Sequence, residues 1–548
     1  METNTAFAHA SAAELAATLG LEPSEVQSYG HGTAKIELSA IDRLAGQSDA
    51  KIVSVTSMTP TKFGEGKTTT AISLVQGLGA VGARPILCLR EPSLGPVFGI
   101  KGGGTGGGRA QVVPMEQINL HFTGDIHAIG AANNLLAAMI DAQFLHGNGL
   151  GLDPHSVSWR RCLDMDDRAL RQIVLGLGGK ANGMPRETGF DITAASEVMA
   201  IVAVAQDLAD LRARLGAITV GTTFEGEPVT AEQVGAAGSM AVLLKEALKP
   251  NLVQTAEGQP VLVHCGPFAN IAHGNNSVVA DRLGLKLADW LVTESGFGAD
   301  MGFEKFVDIV CRRSDFAPSL VVLVATVQAL KHHGGDPDGG IPAIERGMEN
   351  LRANLRIVQN LNLPCVIAVN RFPGDASGEI DAARRLAAEL DVIDVAVNSG
   401  FEEGGAGATE LAEAVREAAL DLPPKPDFLY RLEDPIAEKI SSIARRAYGA
   451  DAAELTPLAQ RQAAAFDRAG LGTVPICMAK THLSLSHDPM LLGAPSGFTL
   501  PVRELRAYTG AGWIVAMCGD MQTMPGLPSN SAAKRIDIDA GGATVGLR

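Results

Sequence analysis

Apolar residues gather into short runs that recur down the chain: Ile52–Ser57, Pro85–Arg90, Ile118–Phe122, Pro260–Cys265, Trp290–Thr293, Leu320–Val324, Cys365–Asn370 and Val392–Val397. Helix-length stretches separate most of them. Runs this short, rich in aliphatic and β-branched residues without strict alternation, predict strands buried on both faces of a mainly parallel sheet. The fold class expected is α/β: a doubly wound core. Residues 1–50 read as a helical lead-in that ends near the Gly30–Gly32 turn. Between about 150 and 245 the pattern becomes helical and charged, as in Asp164–Arg171 and Ala194–Leu215, which predicts an inserted lobe. Pro423-Pro424-Lys425-Pro426 reads as a linker. The division expected is a core over 1–149 and 246–364, a largely helical insertion over 150–245 and a smaller C-terminal α/β domain over 365–548.

The first run leads straight into Thr59-Pro60-Thr61-Lys62-Phe63-Gly64-Glu65-Gly66-Lys67-Thr68. Ile72, Val75 and Leu78 follow at helical spacing. Strand, tight glycine loop and helix are what a phosphate loop requires, because successive backbone N–H groups and a helix N-terminus must converge on one anion. Residues Thr61 to Thr68 are therefore the expected nucleotide-phosphate site, which makes the core nucleotide-binding. Lys67 would neutralise phosphates and the Thr68 hydroxyl would ligate Mg²⁺. Thr61 stands where the usual motif has its first Gly, so the entry turn must differ.

A second glycine cluster, Gly99 to Gly108, has seven glycines in ten positions. Gly102, Gly104 and Gly107 match G-x-G-x-x-G, but no convincing strand precedes them and Pro114 stands where a crossover helix should run. Either a mobile loop lies against a ligand, with Lys101 and Arg109 at its ends, or the stretch is a flexible linker; its place between two core strands favours the loop. Upstream, Arg90 and Glu91 end the second run. Ligands of open parallel sheets bind outside the carboxyl ends of the strands, which would set Arg90 beside Lys67, suited to a carboxylate or an acyl phosphate. A surface Arg paired with a neighbouring acid fits the same residues.

Composition narrows the partners. The 548 residues carry a formal net charge of −16, so counterion release gives no affinity for nucleic acid and an anionic membrane would repel the chain. Glycine is enriched, at 62 residues. Seven dispersed cysteines without a C-x-x-C pair suggest reduced thiols, and no apolar stretch is long enough to span a bilayer, so a cytoplasmic setting is expected.

The chain resembles formate–tetrahydrofolate ligases. Gly99–Arg109 is similar to the family pattern G-[LIVM]-K-G-G-A-A-G-G-G-Y, and Val324–Gly335 to V-A-T-[IV]-R-A-L-K-x-[HN]-G-G. Further matches are Asn119–Asp125, Pro267–Gly274, Gly296–Asp300 and Thr523–Pro528. The resemblance implies that ATP, formate and tetrahydrofolate give 10-formyltetrahydrofolate, ADP and phosphate through formyl phosphate. It implies catalytic roles for Lys67, Arg90 and Asp125, with Asp125 at a strand end acting on Mg²⁺ or as proton acceptor. Arg90, Glu91, Lys101 and Gly102 would surround formyl phosphate. Phe372, Pro373 and Phe401 would flank the folate ring, making 365–548 the folate-site domain, though Phe401 also reads as a core aromatic. K⁺ or NH₄⁺ activation and a homotetramer are implied by resemblance alone.

Several residues depart from the family patterns. Phe401 and Glu403 stand where the family has W-A-K, Gln328 replaces Arg, Gly104 and Thr105 replace two Ala, and Arg109 replaces Tyr. A smaller ring and a reversed charge predict weaker folate binding. Three alternatives remain. A transition-metal enzyme is disfavoured because His332-His333, and His264 with His273, lack ligand spacing. A P-loop ATPase switch would not need Arg90, the glycine loop and Phe372-Pro373 together. An inactive scaffold relative would have no reason to keep Lys67, Arg90 and Asp125.

Overall fold

A computed structural model describes residues 9–62, 64–99, 103–419 and 425–547. Its centre is a twelve-stranded sheet. In chain order its strands are β1 Val26–Ser28, β2 Ala34–Ile36, β3 Lys51–Ser57, β4 Pro85–Leu89, β5 Gly106–Gly107 and β6 Ala110–Val113. They continue with β7 Asn251–Thr255, β8 Pro260–Val263, β9 Trp290–Glu294, β10 Leu320–Thr326, β11 Cys365–Asn370 and β12 Asp394–Asn398. The spatial order is β1-β2-β7-β8-β4-β9-β3-β10-β11-β12, with β6 on β7 and β5 on β6. Every pairing from β8 to β12 is parallel. From β3 the chain steps to β4 on one side and, later, through β10 to β11 and β12 on the other. That reversal is a topological switch point, where open α/β sheets bind ligands.

Seven of the eight expected strands are present. Alternate residues of β3 serve opposite layers: Val53 and Val55 pack with Leu74, Val75 and Leu78 of helix α1 (Lys67–Ala80), while Ile52 packs with Leu283 and Leu287. This two-sided burial is why the runs lack alternation. The exception is Ile118–Phe122, where a short helix, Met115–Asn119, follows Pro114. Asn119 turns inward instead, accepting from the Gly104 N–H at 2.9 Å and donating to Thr105 Oγ1 at 3.1 Å. Asp125 accordingly ends no strand; it opens helix α2 (Asp125–Leu145). The lead-in is only partly helical, since β1 and β2 form an antiparallel hairpin.

The sheet runs across the division drawn at residue 365. β10 and β11 pair over six registers, so the segments carrying Phe372 and Phe401 leave the same sheet as the phosphate loop. A separate four-stranded sheet lies further on: β13 Ala452–Leu455, β14 Ile476–Ala479, β15 Thr499–Tyr508 and β16 Trp513–Cys518, in the order β13-β15-β16-β14. Lys480, just after β14, makes a wholly buried 2.6 Å ion pair with Asp300 of the core.

Within 150–245, helices Glu197–Val204, Leu208–Ala217 and Ala237–Leu244 match the helical expectation, whereas Asp164–Arg171 is helical only in the short 3₁₀ turn Arg168–Arg171. Asp164 accepts from Ser93 Oγ and the Leu94 N–H, and Asp167 from the Ala169 N–H. Asp164 is thus tied to the start of the helix Leu94–Phe98, and Asp167 caps only the one short turn that follows it. All seven cysteines are buried and unpaired. No helix among the described residues is long and apolar enough to cross a membrane.

Candidate active site

The carboxyl ends of β3, β4, β9, β11 and β12 converge on one place. Gly66 caps α1 with φ of 70°, in the left-handed region that favours glycine. A methyl there would come within 2.8 Å of Phe372 Cζ and 3.0 Å of Asn370 Nδ2. The turn is tied down from within: the Thr61 N–H donates to Glu65 Oε1 at 2.5 Å, and Asn370 Nδ2 donates to the Glu65 carbonyl at 3.0 Å. Asn370 Oδ1 accepts from Thr70 Oγ1 and Asn398 Nδ2, each at 2.9 Å. Thus two asparagines, each the last residue of its strand, lock the head of α1 to β11 and β12.

Lys67 begins α1, half-buried. Burial pushes its ammonium pKa down, Glu294 and Glu65 push it back up, and Arg90 opposes them. Thr68 Oγ1 donates to Glu294 Oε2, whose other oxygen accepts from Arg90 Nη2 at 3.2 Å. Arg90 Nη1 also reaches the Pro267 carbonyl at 3.5 Å. A methyl on Gly296 would lie 2.7 Å from that Nη1, so the bare backbone is what lets the guanidinium lie there. The expected neighbourhood of Arg90 and Lys67 is therefore present, organised by a carboxylate that the motifs did not single out. Glu65 is buried, and its carboxyl pKa is raised by that burial and lowered by Lys67.

Arg90 and Glu91 diverge. Glu91 is buried, with its Oε2 lacking a hydrogen-bond partner, and its pKa is pushed well up by burial first and by Asp125 next. Asp125 does not face open solvent: Lys35 Nζ donates to both its oxygens at 2.7 and 2.9 Å, and Asn251 Nδ2 donates to one at 2.8 Å. Both carboxylate oxygens are thus committed to structure.

Phe372 and Phe401 do meet, with ring centroids 5.9 Å apart and planes inclined at 57°. The glycine cluster forms a wall behind them. Gly108 has φ of 61°, a methyl there would overlap the Phe401 carbonyl oxygen, and the Arg109 N–H donates to that oxygen at 2.9 Å. From 103 onward this stretch is packed loop and strand, not a free linker. Pro373 and the Arg109 side chain are exposed. Phe63, Lys101 and Gly102 lie outside the described residues.

His264 and His333 are held by structural hydrogen bonds. His264 bonds Ser277 Oγ and the Ala247 carbonyl, and His333 bonds the Thr59 carbonyl; burial lowers both pKa values to about 4. Among the described residues no group of three or more His, Cys, Asp or Glu is arranged to hold a metal.

Glu294, Asn370 and Asn398 were not picked out from sequence. Their signal was present: each is a polar residue ending an apolar run, and Val369-Asn370 and Val397-Asn398 repeat the same ending.

A capped helix head, an ammonium, a guanidinium and a bridging carboxylate meet at the switch point of a mainly parallel sheet, which makes this an α/β protein with charged groups gathered where such sheets bind ligands. The family model for formate–tetrahydrofolate ligase matches residues 1–548. Proteins named formate–tetrahydrofolate ligase from Roseiflexus sp. (strain RS-1) and Cutibacterium acnes are 54% and 52% identical over 97% of both chains. One from Desulforamulus reducens is 52% identical over 98% of this chain and 96% of its own. The chain belongs to the formate–tetrahydrofolate ligase family, and it is a ligase.

Proposed function

We propose that the protein joins formate to tetrahydrofolate using ATP, giving 10-formyltetrahydrofolate, ADP and phosphate through formyl phosphate. The observation that carries this reading is the Lys67–Glu294–Arg90 arrangement, which sets a phosphate-type cation and a carboxylate-type fork on either side of one acid. In the first step a formate oxygen attacks the γ-phosphorus and ADP departs. In the second, N10 of the folate attacks the formyl carbon, the carbon–oxygen bond to phosphate breaks, the N10 proton is lost to the departing phosphate or to solvent, and phosphate leaves with the oxygen that formate supplied.

The protein's share is positioning and charge stabilisation. Gly64 and Gly66 leave the turn's backbone open to the phosphates, Lys67 holds the transferring phosphoryl group, and Arg90 holds formate and then formyl phosphate. Phe372, Pro373 and Phe401 take the pterin. Asp125 acts through Lys35 and the buried Glu91, at one remove from the reacting atoms. Thr68 Oγ1 and Glu294 are adjacent hard oxygen donors, which fits Mg²⁺, an ion that takes one or two protein oxygens and completes its shell with phosphates and water. Bound there, it would supply charge neutralisation on the phosphates.

The test is an isotope transfer. With ¹⁸O-labelled formate and all three substrates, the reading requires ¹⁸O in the inorganic phosphate released, and unlabelled phosphate alongside product would eliminate formyl phosphate.

A further inference from the structure

Arg160, Arg171, Arg503 and Arg506 line one cavity of about 230 Å³, together with Gln172 and Thr523. None of them belongs to the centre described above. The first two come from the insertion and the last two from β15. A residue and its third neighbour on a regular strand face opposite ways, but the register of β15 against β16 shifts between Val502 and Glu504. A bulge of that kind re-aims side chains, which brings Arg503 and Arg506 to one cavity.

The acids nearby leave this cluster incompletely neutralised. Asp191 pairs with Arg160 at 3.1 Å, and Glu504 with Arg506 at 2.7 Å and Arg503 at 3.9 Å. Asp520, 3.9 Å from Arg503, is fully exposed. Arg171 has no carboxylate in ion-pair reach among the described residues; its Nε donates to the Met524 carbonyl at 2.8 Å, and its own carbonyl accepts from Arg160 Nη2. Set against Asp191 and Glu504, with Asp520 out in solvent, the four guanidinium groups leave the cavity net positive in a chain of net charge −16, and a further anion would relieve their residual repulsion. Guanidinium forks match phosphate oxygens two at a time, and several forks suit a multiply charged anion better than a single carboxylate.

We propose that this cavity is a second anion site, which binds a multiply charged phosphate group, either free or at the end of a small phosphorylated molecule. The phosphate loop also binds such ions, so the test first silences it. Inorganic pyrophosphate is titrated calorimetrically against the full-length Lys67→Ala variant, then against Lys67→Ala with Arg171→Gln or Arg506→Gln, all checked for native thermal unfolding. One pyrophosphate per chain should bind Lys67→Ala, and each added substitution should weaken it about tenfold, the loss expected for a charge-assisted bond. Absence of binding to Lys67→Ala, or binding indifferent to the arginines, overturns the proposal.

A measurement on the unmodified protein guards against misfolded variants. With the phosphate loop saturated by Mg-ATP, pyrophosphate should protect Arg171 and Arg506 from an arginine-specific dicarbonyl reagent, read by peptide mass. Equal modification with and without pyrophosphate overturns the site. Repeating the titration with glycerol phosphate and inorganic phosphate separates the sources: tighter binding of the ester points to a phosphorylated metabolite and tighter binding of the inorganic ions to free phosphate, and either order supports the shared chemistry.

Discussion

At the phosphate flank of the sheet's carboxyl edge, Thr68 and Arg90 already share Glu294 and the head of α1 is bolted to two strands. At the aromatic flank, Phe372 and Phe401 lean on each other at 5.9 Å. A flat ring inserted between two aromatic faces needs about 7 Å, two van der Waals separations, and nearly parallel walls. The aromatic slot is therefore closed on itself while the charged site stands ready. The contrast has a physical basis. Apolar surfaces without a ligand gain by covering one another, whereas charges stabilise a transition state most when they need no rearrangement. On the proposed reading, binding energy from the pterin would first have to part the rings, whereas the phosphate flank would contribute without that cost.

The largest effect that would break this contrast is at Lys67. Lys67→Ala should lower kcat by about 10²–10³-fold, the scale for losing one preorganised charge contact, with the fold intact by circular dichroism. If an aromatic substitution costs more kcat than this, the assignment of rate to the phosphate flank is mistaken.

Glu294→Gln comes next. The amide keeps the shape and removes the charge that Arg90, Thr68 and Lys67 share, so kcat should fall about 10- to 100-fold, with the KM for formate rising and that for tetrahydrofolate unmoved. It should also shift the pH profile. In the proposed role Lys67 must be protonated, and burial lowers its pKa, so activity should be held at low pH and lost as pH rises through that value. Glu294 is the first of the groups opposing that shift, so without it the alkaline limb should move to lower pH. An unmoved alkaline limb would mean that another group controls it.

The parts of this site visible in the sequence are those with a local signature. The phosphate loop lies between a strand and a helix within one continuous stretch, and Arg90 ends its own run, so both were placed from neighbours alone. Glu294 and Asn370 are given their roles by the order β4-β9-β3-β10-β11, which brings segments up to 305 residues apart together, and no local pattern carries that order. Asp125 was misplaced for a related reason. Ile118–Phe122 has the composition of a strand, but Pro114 and the inward turn of Asn119 divert it, and the acid then opens a helix and pairs with Lys35. The glycine cluster, expected to lie against a ligand, packs from Gly107 and Gly108 onto Phe401. The insertion's capping aspartates, Asp164 and Asp167, read as helical charge until their backbone partners are seen.

At the aromatic flank, Phe372→Ala removes one wall and also the ring that lies against Gly66. Stacking a planar heterocycle on an aromatic side chain contributes about 1–3 kcal/mol, so the KM for tetrahydrofolate should rise about tenfold. Formate-dependent ADP formation in a single turnover without folate should change little. A comparable loss in that half-reaction would show that Phe372 supports the phosphate turn more than the pterin, and the two flanks would then be one mechanical unit.

The smallest effect expected is the most discriminating. Phe401→Trp adds ring area at the wall where this chain departs from the family pattern, beside Gly107, where a methyl would come within 3.2 Å of Phe401 Cε2, so the backbone there carries no side chain against the ring. A better aromatic contact is worth about 0.5–1.5 kcal/mol, so the KM for tetrahydrofolate should fall about threefold at unchanged kcat. Glu402 and Glu403 are exposed beside the ring and act alike in both proteins, so the gain should be the same for a folate with one glutamate or several, while KM itself should be higher for the latter in both. Equal KM values for the two folates would remove charge from the account and leave ring area alone. No gain for either would mean that Phe401 serves as packing for the Gly107–Gly108 turn, with the pterin held by Phe372 from one side only.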